Sequence, residues 1–164
     1  MKSLREEQIK AVLPAPGDVP AGWEPAGTPR YSGPEPADGL VASASRGYAA
    51  SDLDGAVGFN VKSFKSPAAA IGHVTQKKKQ FGGAEQRPVQ FTGVDAAFSA
   101  SYCMGDSYCS TSINVRVGPA VAFVNINTNV RPAADPRILN PAMRMLVERI
   151  RQAQQGQEPK AKAG

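Results

Sequence analysis

The chain is poor in the residues that build reactive centres. Its 164 residues include one histidine, two cysteines and one tryptophan. Two cysteines and one histidine cannot by themselves fill a four-ligand zinc site, and no carboxylate stands at a supporting spacing. A Cys-x-x-Cys redox pair is also missing, because five residues separate Cys103 from Cys109. Nucleophilic catalysis needs a base beside a serine or cysteine. The lone His73 instead sits near Lys77, Lys78 and Lys79 and reads as solvated surface. Glycine-rich dinucleotide and phosphate loops are absent, so no cofactor is indicated. Asp52 and Asp54 fall in a turn-like segment, where carboxylates are common for turn reasons alone. A small hydrolase is therefore the weakest reading, and the chain reads as a non-enzyme.

Long apolar runs are also absent; none approaches the ~20 residues of a membrane helix. Met1-Lys2-Ser3 leads straight into a charged helical segment, not into the apolar core of a secretory leader. Any export or lipid signal is thus expected upstream of this sequence. The net charge is +5, which would suit an anionic surface. No aromatic residues interleave with the basic ones, however, as a nucleic-acid stacking surface requires. Nucleic acid is not an expected partner. Arg144, Arg149, Arg151, Lys160 and Lys162 make the last helix and tail basic. An alternative reading is therefore an interaction scaffold that sets this helix against an acidic partner or lipid headgroups.

What is present is punctuation and alternation. Ser3 and Glu6 fit a capping box ahead of Ile9, Val12 and Leu13, and Pro14 ends that first helix. Residues 14–36 contain seven of the fourteen prolines, which excludes regular helix or a central strand. Val19, Trp23 and Tyr31 are poor linker residues, so this 14–38 segment is expected to lie on the domain with Trp23 as its anchor. From residue 39 the apolar period becomes two. Strands are expected over 40–49 and 55–64, then a short one at Val89 and Phe91, then 95–103, 109–117 and 120–127. Between them Ser66-Pro67 opens a helix carrying Ile71, Val74 and Phe81, which Gly82-Gly83 closes. Asn140-Pro141 opens the last helix, with Ala142, Met145, Leu146 and Ile150 as its buried stripe. Residues 1–156 are expected to form a single α+β domain. It would hold a twisted antiparallel sheet of five to six strands, with two to three helices packed mainly on one face. Residues 157–164 read as a disordered tail.

A symmetric turn at Gly118-Pro119 would pair Val117 with Ala120, Val115 with Ala122, Ile113 with Val124 and Thr111 with Ile126 on one apolar face. The opposite face would carry Asn114, Arg116, Val121, Phe123 and Asn125. With Trp23 these form the candidate binding face, on which Arg116 would hold an anion and Phe123 supply apolar contact. The competing reading is a half-solvated face partly covered by the proline-rich segment.

Cys103 and Cys109 are read as a disulfide, the alternative being two free or buried thiols. A two-residue Gly105-Asp106 turn would pair Tyr102 with Cys109 and put the sulfurs on opposite faces, so the bond demands a wider loop or a bulge. Persistent disulfides belong to oxidising compartments.

Several segments resemble actinobacterial exported proteins, often lipoproteins: AVLPAPGDVPAGWEP near the start, GVDAAFSAS with INVRVGPAVAFVNINT in the centre, and MLVERIRQAQQG at the close. This broad group is similar to the extracellular sensor domains of mycobacterial serine/threonine kinases and to PsbP-like lipoproteins. The resemblance implies an α+β fold with a twisted antiparallel sheet. It further implies an extracytoplasmic, envelope-associated and non-catalytic binding or sensor-type role. The partner would be an unknown small molecule or envelope protein, and an upstream lipid anchor is possible.

Overall fold

The computed structural model describes residues 1–164. Seven antiparallel strands form one sheet: β1 (Trp23–Ser32), β2 (Leu40–Ala50), β3 (Gly55–Phe64), β4 (Glu85–Pro88), β5 (Ala96–Met104), β6 (Tyr108–Val117) and β7 (Ala120–Thr128), in the order β1-β2-β3-β7-β6-β5-β4. The helices are α1 (Glu6–Val12), α2 (Pro67–Gln80) and α3 (Asn140–Gln154). The α+β class agrees with the sequence reading, but the sheet has seven strands, not five to six.

The extra strand is β1, inside the proline-rich segment. As an edge strand it can carry Pro25 and Pro29, because the missing N–H groups need not serve a second neighbour. A register shift between Ala26 and Arg30 bends it further. The short strand expected at Val89 and Phe91 lies earlier, at Glu85–Pro88, and Val89 and Phe91 pack against the main core instead.

The Gly118-Pro119 turn has Gly118 at φ 58°, which a glycine opening a type II′ hairpin turn tolerates. Its register is the symmetric one, with Val117 opposite Ala120 and Thr111 opposite Ile126. The apolar face so formed meets α1 and α3. Ile9 and Val12 of α1 and Met143, Leu146 and Ile150 of α3 pack on Phe59, Val61, Ile113, Val115 and Val124, all in one buried cluster.

Two of the three helices, α1 and α3, thus share one face, while α2 lies across the other, which the sequence reading left without a helix. There Ala70 packs with Leu40, Phe64 and Val121, and Val74 joins them. Ile71, expected in the buried stripe, is 49% exposed. Ser66 caps α2 as anticipated, its hydroxyl accepting from Ala69 N. Ser3 does not cap α1. Its hydroxyl donates to the Phe64 carbonyl at 2.6 Å, and the exposed N–H of Arg5 is met by Gln8 Oε1 at 3.0 Å. Asn140 is the first residue of α3 and not its cap, because a 3-10 turn at Pro136–Leu139 runs directly into the helix.

The end of α1 is held by a buried arginine. Arg149 Nε donates to Val12 O, Nη2 to Ala11 O and Leu13 O, and Nη1 to Ala161 O and Asp18 Oδ2, at 2.9–3.4 Å. The residues expected as a disordered tail are laid back on the domain here. Ala163 N donates to Asp18 O at 2.8 Å and Lys160 N to Gln152 Oε1 at 2.8 Å.

Candidate functional site

The hairpin that opens the site is the one closed by the cysteines. Cys103 and Cys109 are directly opposed across β5 and β6, Cα atoms 4.0 Å apart, and are disulfide-bonded. Met104 pairs with Tyr108, so the loop is Gly105-Asp106-Ser107. The wider loop required by the bond is therefore present. Its extra residue also sets which way β5 faces, since a one-residue slip exchanges the faces of a strand. Phe98 stands opposite Asn114 and Ala100 opposite Ser112, on the α2 side.

That side carries most of the predicted binding face, but α2 and local bonds use much of it. Val121 is buried beneath α2. Phe123 lies under the Lys77 ammonium, 4.1 Å from the ring centre. Asn114 is buried and donates through Nδ2 to Ser112 Oγ at 3.0 Å. Arg116 pairs with Asp95 at 3.0 Å and donates to Gly118 O at 3.3 Å, while Gly118 N donates to Asp95 Oδ2 at 2.6 Å. It clamps the hairpin turn and offers no open anion site. Trp23 is not on this face. It is buried with the α1–α3 core, its Nε1 donating to Asp52 Oδ1 at 2.8 Å, and there it anchors the proline-rich segment.

Asn125 remains available, and with it residues that the sequence reading did not assign to a site. Beyond α2 the sheet is an open concavity of about 510 Å³, walled by the bulged part of β1. Its floor is Ser45 and Gly47 of β2, Gly58 and Asn60 of β3, and Asn125 and Asn127 of β7. Alternation puts all six on the face opposite Phe59 and Val57. The glycines leave the floor low, and the amides offer both donors and acceptors. A period-two run of Ser, Gly and Asn beside buried apolar residues is the signal that could have identified it.

Gly58 is fitted to Asn125: a Cβ at residue 58 would lie 2.6 Å from Asn125 Oδ1. Asn125 Nδ2 donates to Asn127 Oδ1 at 3.3 Å. Gly58→Ala is expected to push the Asn125 amide aside and break that bond. The stability cost would be small, about 1 kcal/mol, with a clear shift of the Asn125 side-chain amide resonances in NMR spectra.

His73 does not lie free in solvent. It is half-buried, its ring 5.0 Å from that of Phe64. Burial, with Lys62 and Lys77 nearby and only Asp38 opposing, pushes its pKa down to about 4. The ordinary value of 6.5 applies in the unfolded chain, which therefore binds the proton more readily between pH 6.5 and 4. The stability this gives is complete above pH 6.5 and lost as pH falls toward 4. Allowing for solvent screening, the loss is about 1–2 kcal/mol. The stability advantage of the wild type over His73→Gln is expected to shrink by that amount from pH 7 to pH 4 in denaturant titrations. A difference that does not change with pH would contradict it.

No group of three or more His, Cys, Asp or Glu side chains is placed to hold a metal ion. No helix is long and apolar enough to cross a membrane. No protein-family model matches the chain, and no curated protein matches it. Among solved structures it is similar to the extracellular domain of PknH from Mycobacterium tuberculosis. The TM-score is 0.61 at 12% identity, over 94% of this chain and 98% of that one. The likeness is one of fold. It agrees with the resemblance to kinase sensor domains in the arrangement of the chain and carries over no residue.

Proposed function

We propose that this is an exported, envelope-associated binding or sensor-type domain that takes its ligand on the open part of the sheet. Binding and not catalysis is its role. The observation that carries the reading is the polar floor of Ser45, Asn60, Asn125 and Asn127, kept open by Gly47 and Gly58. Amides set in a concavity of this size, with the exposed Arg30 on its β1 wall, suit a polar ligand that is neutral or carries an acid group, such as a short peptide or a sugar-bearing envelope fragment. The disulfide supports an oxidising compartment. The fold likeness to an extracellular kinase domain supports the same setting, and an upstream lipid or peptide anchor would hold the domain at the envelope.

Isothermal titration of the whole chain with soluble muropeptides, oligosaccharides and short peptides tests it. A ligand of one of these classes is expected to bind saturably. Asn125→Leu, which keeps the strand and removes the amide, should weaken it at least tenfold. Binding that is indifferent to Asn125 and Asn60 would overturn the site.

The alternative that used the basic last helix has less to stand on. Arg149 is buried in the network that ends α1, and Arg151 lies 3.4 Å from Glu148.

A further inference from the structure

Five lysines on the α2 side, Lys62, Lys65, Lys77, Lys78 and Lys79, enter none of the protein's ion pairs. Residues 67–80 include no acid at all. Three of the five are long side chains at ordinary surface positions or rims, and the exposed Lys78 rests its ammonium 4.9 Å from the Phe98 ring centre, but Lys77 is different. It is half-buried, with its ammonium 4.1 Å from the Phe123 ring centre and 5.7 Å from that of Phe81. Burial and the nearby Lys62 both lower its pKa. The rings stabilise the charge in part, yet a half-desolvated cation without a counter-charge still gains from an anion. Lys77 also lines a hollow of about 430 Å³ between the end of α2 and the disulfide hairpin. The other walls are Gln80, Phe81, Gly83, Ala84, Tyr102 and Cys103.

We propose that this hollow is a second binding site, for a small amphiphilic anion. The anionic head sits on Lys77 Nζ with the Gln80 amide as a second donor, and the apolar body lies against Phe81, Tyr102 and Cys103. The volume suits one head with a short chain or ring. A phosphate or carboxylate head meets the same chemistry, and the apolar wall separates such a ligand from a free inorganic anion. The site is independent of the polar floor, so either reading can fail without the other.

The test uses the whole chain at pH 7 and octyl phosphate, with octanol and inorganic phosphate as comparisons, followed by NMR. Octyl phosphate is expected to give saturable shifts at the Lys77 ε-methylene and the Phe81 and Tyr102 rings. Each half-molecule should bind at least tenfold more weakly. Lys77→Gln should lower octyl phosphate affinity at least tenfold and Lys79→Gln less than twofold. Ala84→Phe fills the hollow from another wall and leaves Lys77 in place, so it should cost as much even where the Lys77 variant folds poorly. Equal losses from the two lysine variants would mean diffuse surface charge and overturn the proposal. Inorganic phosphate binding as tightly as octyl phosphate, or shifts confined to other regions, would overturn it too.

Discussion

Replacing Arg149 with leucine is expected to destabilise the protein by about 3–5 kcal/mol, the range for breaking a buried charge network from one side. The reason lies in how α1 ends. The last carbonyls of a helix have no partner within it, and Pro14 and Pro16 supply no N–H to the exit. Arg149 therefore serves the carbonyls of Ala11, Val12 and Leu13. Tyr48 Oη donates to the Pro14 carbonyl at 2.7 Å. Leucine would leave four carbonyls, those of Ala11, Val12, Leu13 and Ala161, and the Asp18 carboxylate without their shared donor, in a place where water has little access. Lysine keeps the charge but not the fork of donors, so Arg149→Lys is expected to recover less than half of the loss. Denaturant unfolding checks both; a leucine variant within 1 kcal/mol of wild type would contradict the role given to Arg149.

The second large effect concerns the hairpin. Cys103→Ser with Cys109→Ser is expected to cost about 2–2.5 kcal/mol, the unfolded-state entropy removed by so small a ring. The loss should be matched by adding reductant to the wild type and absent when reductant is added to the variant. Protein from an oxidising host should show no reactive thiol after denaturation. Two thiols in that titration would remove both the stability argument and the support for export.

Much of the sheet was legible because alternation and turn chemistry agree. Val57, Phe59 and Val61 mark the buried face of β3, and the Gly118-Pro119 turn by itself fixes the β6–β7 register. The loop in front of Cys109 was legible through the geometry of a disulfide alone. Other parts were hidden for physical reasons. β1 was obscured by Pro25 and Pro29, which only an edge position tolerates. Arg149 reads as a solvated charge on a basic helix, and nothing local says that its donors are needed 137 residues away. α2 could not be assigned a side, because its exposed Ile71 and half-buried Lys77 reverse the usual pattern. That ambiguity passed straight to the site. The face was read correctly in register, but without knowing that α2 would take Val121 and Phe123 and leave Asn125 with Asn60 and Asn127.

The open amide floor is where this domain is proposed to meet its ligand. The most direct measurement is an NMR titration of isotope-labelled protein with soluble muropeptides, oligosaccharides and short peptides, reading the side-chain amides of Asn60, Asn125 and Asn127. Saturable shifts gathered at these amides and at Gly47 and Gly58, and lost in Asn125→Leu, are the predicted result. Saturable binding whose shifts avoid the floor altogether would contradict it.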